Sequence, residues 1–147
     1  ENASIDRMMN ETATRETFRI KGESTITVND YQNGRKFDDA LCYSFYPIDL
    51  HTKNGVIPKH LKRGVVPTIP RGSLIPKGSM NLMVAGRCLS SDRLANSAAR
   101  VQASCMGMGQ AAACTAVLAA KSSVTPKEVP LGEIHSLLRE HGAIVPA

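Results

Sequence analysis

The alternation of hydrophobic and polar positions divides the first half of the chain into short strand-like and helix-like segments. Residues 13–22 and 41–50 carry β-branched and aromatic side chains with partial alternation, which predicts two strands. Pro47 places the second strand at a sheet edge or at a strand end. Residues 27–34 predict a short helix, and residues 51–78 predict a long loop stiffened by prolines.

The second half predicts one buried strand followed by helices. Residues 81–85 form a short apolar run that ends at Gly86, which is the pattern of a buried parallel strand. Three helices are then predicted, over residues 91–99 with Ser90 or Ser91 as the cap, over about 102–121, and from 130 to 141. The fold class is therefore mixed α+β, with strands mostly early and helices late.

Composition is that of a globular chain, because 42% of the 147 residues are hydrophobic and 21% are charged. All six aromatic side chains precede residue 47, so the rest of the chain packs on aliphatic and small side chains. Residues 101–120 lack charge and are long enough for a membrane span. Their richness in Ala, Gly, Ser and Thr instead favours a buried helix, and no membrane association is expected.

The net charge of +5 is unevenly spread. Residues 50–91 contain seven Lys or Arg and no Asp or Glu, which predicts attraction of an anion or simply a solvated basic face. No aromatic residues interleave these cations, so a nucleic-acid partner is not expected. A non-enzymatic module that binds an anion or a partner through residues 50–91 is one hypothesis for function.

The four cysteines show neither Cys-x-x-Cys spacing nor a histidine at ligand spacing, so no metal site is predicted. They stand at positions 42, 88, 105 and 114, in mostly apolar surroundings typical of free thiols. Free thiols favour a reducing compartment such as the cytoplasm, and the sequence otherwise leaves localisation undetermined.

Glycines mark the segment with the strongest chemical signal. At Gly86 the missing Cβ lets a ligand approach the backbone, and Arg87 follows at the expected carboxyl end of a strand, where α/β sheets bind ligands. The next long helix offers N-terminal amides to an anion. Gly107 and Gly109 each cost that helix about 1 kcal/mol relative to Ala. They predict either a ligand lying close or tight helix–sheet packing without one.

Asp49 and His51 are two residues apart, so on a strand they would share a face. They are the candidate catalytic pair, with the carboxylate orienting an imidazole that acts as acid or base. A surface histidine beside a turn explains the same pattern.

Three segments of the second half, residues 69–78, 81–87 and 100–113, resemble the C-terminal region of bacterial FAD-dependent oxidoreductases in the glutathione-reductase-like flavoprotein superfamily. Segments similar to the same family precede them in order, at residues 15–22, 33–35, 38–40 and 46–51. The resemblance therefore covers about residues 13–145. It implies an FAD cofactor and transfer of a hydride or electron pair between a small organic substrate and the flavin.

The resemblance also implies a domain plan within a two-domain FAD/NAD(P)-binding flavoprotein. Residues 1–78 would belong to the substrate-side sheet and a loop-rich connector, residues 79–125 to the last strand and helix of the FAD-binding domain, and residues 126–147 to a terminal helix. Seven residues are implied to bind the cofactor: Gly86, Arg87, Arg100, Ser104, Cys105, Met106 and Gly107. The amides at the start of the long helix would stabilise negative charge on the flavin.

Some positions depart from the family pattern, including Ala103 and Ser104 where Pro and Thr are usual, and Arg71-Gly72 where Tyr-Arg is frequent. The glycine-rich G-x-G-x-x-G fingerprint that cradles the pyrophosphate does not occur in the 147 residues. We therefore expect a C-terminal fragment whose partner is the remainder of the flavoprotein. Alone it should lack activity and stable FAD affinity, and exposed sheet edges leave self-association open.

Overall fold

The computed structural model describes residues 18–147 and has a mixed α+β architecture with a small sheet. In chain order the elements are α1 (Val28–Gln32), β1 (Ala40–Tyr43), β2 (Thr68–Pro70), a 3-10 turn (Arg71–Leu74), α2 (Arg93–Ala99), α3 (Gln102–Ser122) and α4 (Leu131–Glu140). Strands β1 and β2 pair antiparallel, with Cys42 opposite Ile69 and an irregular register between Ala40 and Cys42.

The two short helices α1 and α2 begin at side-chain caps, and the cap of α2 also contacts the start of α1. Thr27 and Asp30 form a reciprocal capping box at the start of α1. Asp92 caps α2 by accepting from the amide of Ala95 at 2.8 Å, and its other oxygen accepts from the amide of Val28. The predicted cap at Ser90 or Ser91 is wrong, because this carboxylate satisfies the first amides of both helices.

Within residues 18–147, the long helix α3 packs on the sheet and on α4 through one side. Its buried residues are Ser104, Met108, Ala111, Cys114, Thr115 and Ala119. The opposite side is apolar but exposed, with Met106 at 75% and Val117 at 46% exposure. Among residues 18–147, α3 is the one helix whose length and composition would suffice to cross a membrane, a test that core helices of soluble proteins also pass.

The predicted helices are confirmed, with ends that shift by one or two residues. α4 begins after Pro130, and Gly142 follows its end with a φ of +74°. Ile134 and Leu138 place α4 in the same hydrophobic core as Leu41 and Met108.

The structure contains less strand than the sequence predicts. Residues 81–85 do not form a strand: Asn81 and Leu82 are exposed, and Val84 makes a single backbone bond, to Leu74. An apolar run supplies no pairing partner by itself, and none lies beside it within residues 18–147. The strand predicted over 41–50 ends at Tyr43. Of the strand predicted over 13–22, residues 13–17 lie outside the described part, and Gly22 makes only an isolated bridge to Pro76.

Arg71 has a structural role in this fold. Its Nη1 donates to the carbonyl of Val129 at 2.5 Å and to that of Pro126 at 3.4 Å. Burial lowers the pKa of this half-buried guanidinium, and the charge of Asp39 opposes the shift. Arg71 thus ties the 3-10 turn to the segment before α4.

Candidate functional site

Gly86 lies against the first turn of α3. It has a φ of +85°, a conformation that residues with a side chain rarely adopt. A Cβ added at Gly86 would lie 3.6 Å from Sγ of Cys105 and 3.9 Å from its Cβ. The turn at Gly86 and the start of α3, two segments that the sequence separates, therefore form one surface.

Arg100 links this surface to the candidate catalytic pair. The thiol of Cys105 donates to the carbonyl of Arg100 at 3.3 Å, and Nη2 of Arg100 donates to the carbonyl of Asp49 at 3.1 Å. The Nε of Arg100 is buried and has no hydrogen-bond partner within the described chain. Gly86, Cys105, Arg100 and Asp49 thus follow one another in space.

Asp49 and His51 meet, although no strand carries them. Oδ1 of Asp49 lies 3.5 Å from Nε2 of His51, and their side chains are 21% and 45% exposed. The amide of Asp49 donates to the hydroxyl of Ser97 at 3.2 Å. Because Ser97 and Arg100 hold the backbone of Asp49, its carboxylate remains available to the imidazole.

A pocket of about 410 Å³, mostly apolar, is lined by chain neighbours of Asp49 and His51 but by neither residue of the pair. Ile48 and Leu50, the two chain neighbours of Asp49, line it together with Leu94 of α2. The remaining lining residues come from the loop after His51, including Ile57 and Lys59. The pocket could accept a small organic molecule.

The other predicted α3 residues point in different directions. Ser104 is buried, and its hydroxyl bonds to that of Ser44 at 2.8 Å. A Cβ added at Gly107 would make ordinary contact with Cys42 at 3.7 Å. Met106 is exposed on the opposite side of the helix. Ser104 could therefore serve a ligand only through its backbone, whereas Met106 could do so through its side chain.

Arg87 is exposed beside this surface, and Asn96 holds its backbone. Nδ2 of Asn96, which is fully buried in α2, donates to the carbonyl of Arg87 at 3.1 Å. Burial raises the pKa of Cys105, although the charge of Arg87 opposes the shift. Asn96 was not predicted as a site residue, because its only signal in the sequence is an amide side chain inside an alanine-rich helix.

The groups at this surface could hold the electron-rich edge of a cofactor. Val101, the N-cap of α3, has no side-chain acceptor for the amides of the first turn, which leaves them for an electron-rich oxygen. Gly86 allows close approach to its backbone, and Arg100 adds a cation whose Nε has no partner among residues 18–147. Within residues 18–147, no three His, Cys, Asp or Glu side chains cluster as a metal site would.

A glycine turn and a helix N-terminus thus lie side by side at this surface. The family model for FAD dependent oxidoreductases matches residues 1–138. The chain belongs to this family, and FAD is the cofactor that the family implies. No curated protein and no solved structure matches the chain significantly.

The thiol of Cys42 should resist alkylation in the folded protein. Burial raises the pKa of Cys42 to about 12, so at pH 8 only about one molecule in 10⁴ carries the reactive thiolate. We expect iodoacetamide to label the partly exposed Cys88 well before Cys42, as read by mass spectrometry of peptides. In denaturant both should react at similar rates. Equal labelling of both thiols in the native chain would contradict the buried position of Cys42 in β1.

Proposed function

We propose that the chain forms one wall of an FAD site in a longer flavoprotein that oxidises or reduces a small organic substrate. The observation that carries this proposal is the contact between Gly86 and the first turn of α3. When bound, FAD supplies a two-electron acceptor for a hydride or an electron pair. The chain's own residues bind it, orient it and adjust its electrostatic surroundings.

The first turn of α3 and Arg100 provide the electrostatics. Helix N-termini carry a partial positive charge of roughly half an elementary unit, and unpaired amides there donate to negatively polarised oxygens. Arg100 adds a full positive charge next to this turn, with its Nε unpaired among the described residues. Together they favour electron density at the nearby edge of the cofactor, which is how preorganised donors act on a redox centre.

Asp49 and His51 act on the substrate side. The Asp49 carboxylate lies 3.5 Å from Nε2 of His51, so it can orient the imidazole. With the imidazole so oriented, His51 is the group that can take up or return a substrate proton. This assignment gives the pair an acid–base role and leaves electron transfer to the cofactor.

The exposed side of α3 faces the cofactor and the remainder of the flavoprotein. Helices that are apolar all round are normally buried, whereas among residues 18–147 only one side of α3 is covered. Gly109 lies one turn beyond Met106, and an added Cβ would have no neighbour within 4 Å. Since packing within residues 18–147 does not require a glycine there, we assign the requirement to a group outside them.

Gly109→Ala tests this assignment because it should have opposite effects on stability and on binding. In the 147-residue chain we expect the free energy of unfolding to rise by up to about 1 kcal/mol, since Ala is the better helix former. In the longer flavoprotein we expect the Kd for FAD to rise about tenfold or more, which corresponds to ~1.4 kcal/mol. Urea unfolding and fluorescence titration with FAD measure the two effects.

Gly132→Ala in α4 is the matched control, because its added Cβ also meets nothing within 4 Å. It should leave FAD affinity unchanged. Wild-type 147-residue chain should bind FAD far more weakly than the longer protein, and sub-micromolar affinity would show that its site is complete. Absence of flavin from the longer protein, together with salt-dependent binding of a polyanion by residues 50–91, would instead favour the non-enzymatic alternative.

A further inference from the structure

Three buried hydroxyl groups join α1, the end of β1 and α3 in a continuous chain. Oγ of Ser104 lies 2.8 Å from Oγ of Ser44, which lies 3.0 Å from the hydroxyl of Tyr31. The hydroxyl of Tyr31 also donates to the carbonyl of Tyr46 at 3.2 Å. Tyr31, Ser44 and Ser104 are only 1%, 1% and 3% exposed, so water does not substitute for these partners.

The carbonyl of Tyr46 fixes the direction of all three hydrogen bonds. A carbonyl oxygen can only accept, so the single proton of Tyr31 is directed at it. Ser44 must then donate to Tyr31, and Ser104 must donate to Ser44. Burial raises the pKa of Tyr31, so it remains a donor throughout the neutral range.

This hydroxyl chain is suited to holding position and not to moving protons. It ends at a backbone carbonyl, which does not take up a proton in the physiological pH range. Its other end is Ser104, which belongs to the first turn of α3. That turn lies next to Gly86 through Cys105, and it contains the amides assigned above to the flavin edge.

We propose that Tyr31 and Ser44 are positioning residues that hold the first turn of α3 in register with β1 and thereby aim its amides at the cofactor. The aiming of these amides rests on the proposed function, whereas the holding of the turn does not. Tyr31 is well placed for this role because it is fully buried within the hydrophobic core. The Tyr31 hydroxyl therefore anchors the hydrogen-bonded hydroxyls of Ser44 and Ser104.

Hydrogen exchange in the Tyr31→Phe variant of the 147-residue chain tests the holding role. We expect the amides of residues 105–108 to exchange at least about tenfold faster, while those of residues 114–119 keep their protection relative to global unfolding. Tyr43→Phe is the matched control, because the hydroxyl of Tyr43 accepts only a long bond of 3.4 Å from the amide of Ala147. Uniform acceleration along α3, or the same change in both variants, would overturn the proposal.

Two further variants keep the test decisive. Ser104→Ala removes one end of the hydroxyl chain without touching the Tyr31 ring, and it should also loosen residues 105–108 if Tyr31→Phe does not fold. Ser44→Ala removes the hydroxyl that bonds to Ser104, so adding Tyr31→Phe to Ser44→Ala should loosen residues 105–108 no further than Ser44→Ala alone. A double variant that is simply the sum of the single ones would count against a connected chain.

The flavin-loaded longer protein separates this inference from the proposed function. If both hold, Tyr31→Phe should weaken FAD binding and shift the visible absorption of the bound flavin, whereas Tyr43→Phe should do neither. Faster local exchange with unchanged FAD affinity and spectrum would refute the assignment of these amides to the cofactor, while the holding role would stand. Unchanged local exchange would refute the holding role itself.

Discussion

Replacing Gly86 with valine should lower the free energy of unfolding of the 147-residue chain by about 2 kcal/mol or more. Its φ of +85° places a side chain in a backbone conformation that costs about 1–2 kcal/mol for an L-residue, and a β-branched residue adds to this. The new side chain would also extend from a Cβ that already lies 3.6 Å from Sγ of Cys105. In the flavin-loaded longer protein, the same side chain should cover the surface between Gly86 and α3 and raise the Kd for FAD more than tenfold.

Gly78→Val separates backbone strain from the local effect at Gly86. Gly78 has a φ of +79°, and an added Cβ there would have no neighbour within 4 Å. Urea unfolding should show a loss of stability from strain in both variants, with the larger loss at Gly86. FAD titration should show a loss of affinity at Gly86 alone. Equal losses of stability and equal FAD affinities in the two variants would refute the special position of Gly86.

The helices were predictable because their signals are local. The Thr27 and Asp30 pair at the start of α1 and the Pro130 and Gly142 positions around α4 act within a few residues of themselves. Even the wrong cap of α2 missed Asp92 by one residue. Residues close in sequence decide where a helix begins and ends, so the sequence alone is sufficient to predict the bounds of a helix.

The strand predicted over residues 81–85 failed because a strand needs a partner that the pattern does not specify. Its apolar side chains satisfy the pattern, yet Leu82 is 53% exposed and no neighbouring strand pairs with it in residues 18–147. The hydroxyl chain could not be predicted either, because it also depends on partners that are distant in sequence. Ser44 and Ser104 are 60 residues apart, and nothing in the sequence near either one indicates the other.

The candidate site could be predicted from the sequence in part. The resemblance grouped Gly86 with the start of α3 and with Arg100, and the fold brings all three together. The pairing of Asp49 with His51 was inferred from a strand that does not form, but Ser97 and Arg100 hold the backbone so that the side chains still meet. The contact therefore depends on tertiary anchors, which the spacing of two residues did not reveal.

Ile134→Ala should be strongly destabilising. The variant tests the buried side of α3, which packs against α4. Ile134 is fully buried in α4 within the core that contains Met108 of α3, and removing such a side chain typically costs about 2–5 kcal/mol. The next residue, His135, bonds through Nε2 to the carbonyl of Ala40 at 2.8 Å, so α4 cannot easily move to fill the cavity. Urea unfolding of the 147-residue chain measures the loss.

Ile144→Ala provides the matched comparison, since the same atoms are removed from a side chain that is 82% exposed. It should change the free energy of unfolding by less than about 0.5 kcal/mol. Similar losses in the two variants would mean that α4 does not pack as described. Because α4 supports the face of α3 opposite to Met106 and Gly109, Ile134→Ala should weaken FAD binding only as far as it unfolds the protein. Gly109→Ala should weaken that binding in a protein that stays folded, so the two variants distinguish the face that builds the core from the face assigned to the cofactor.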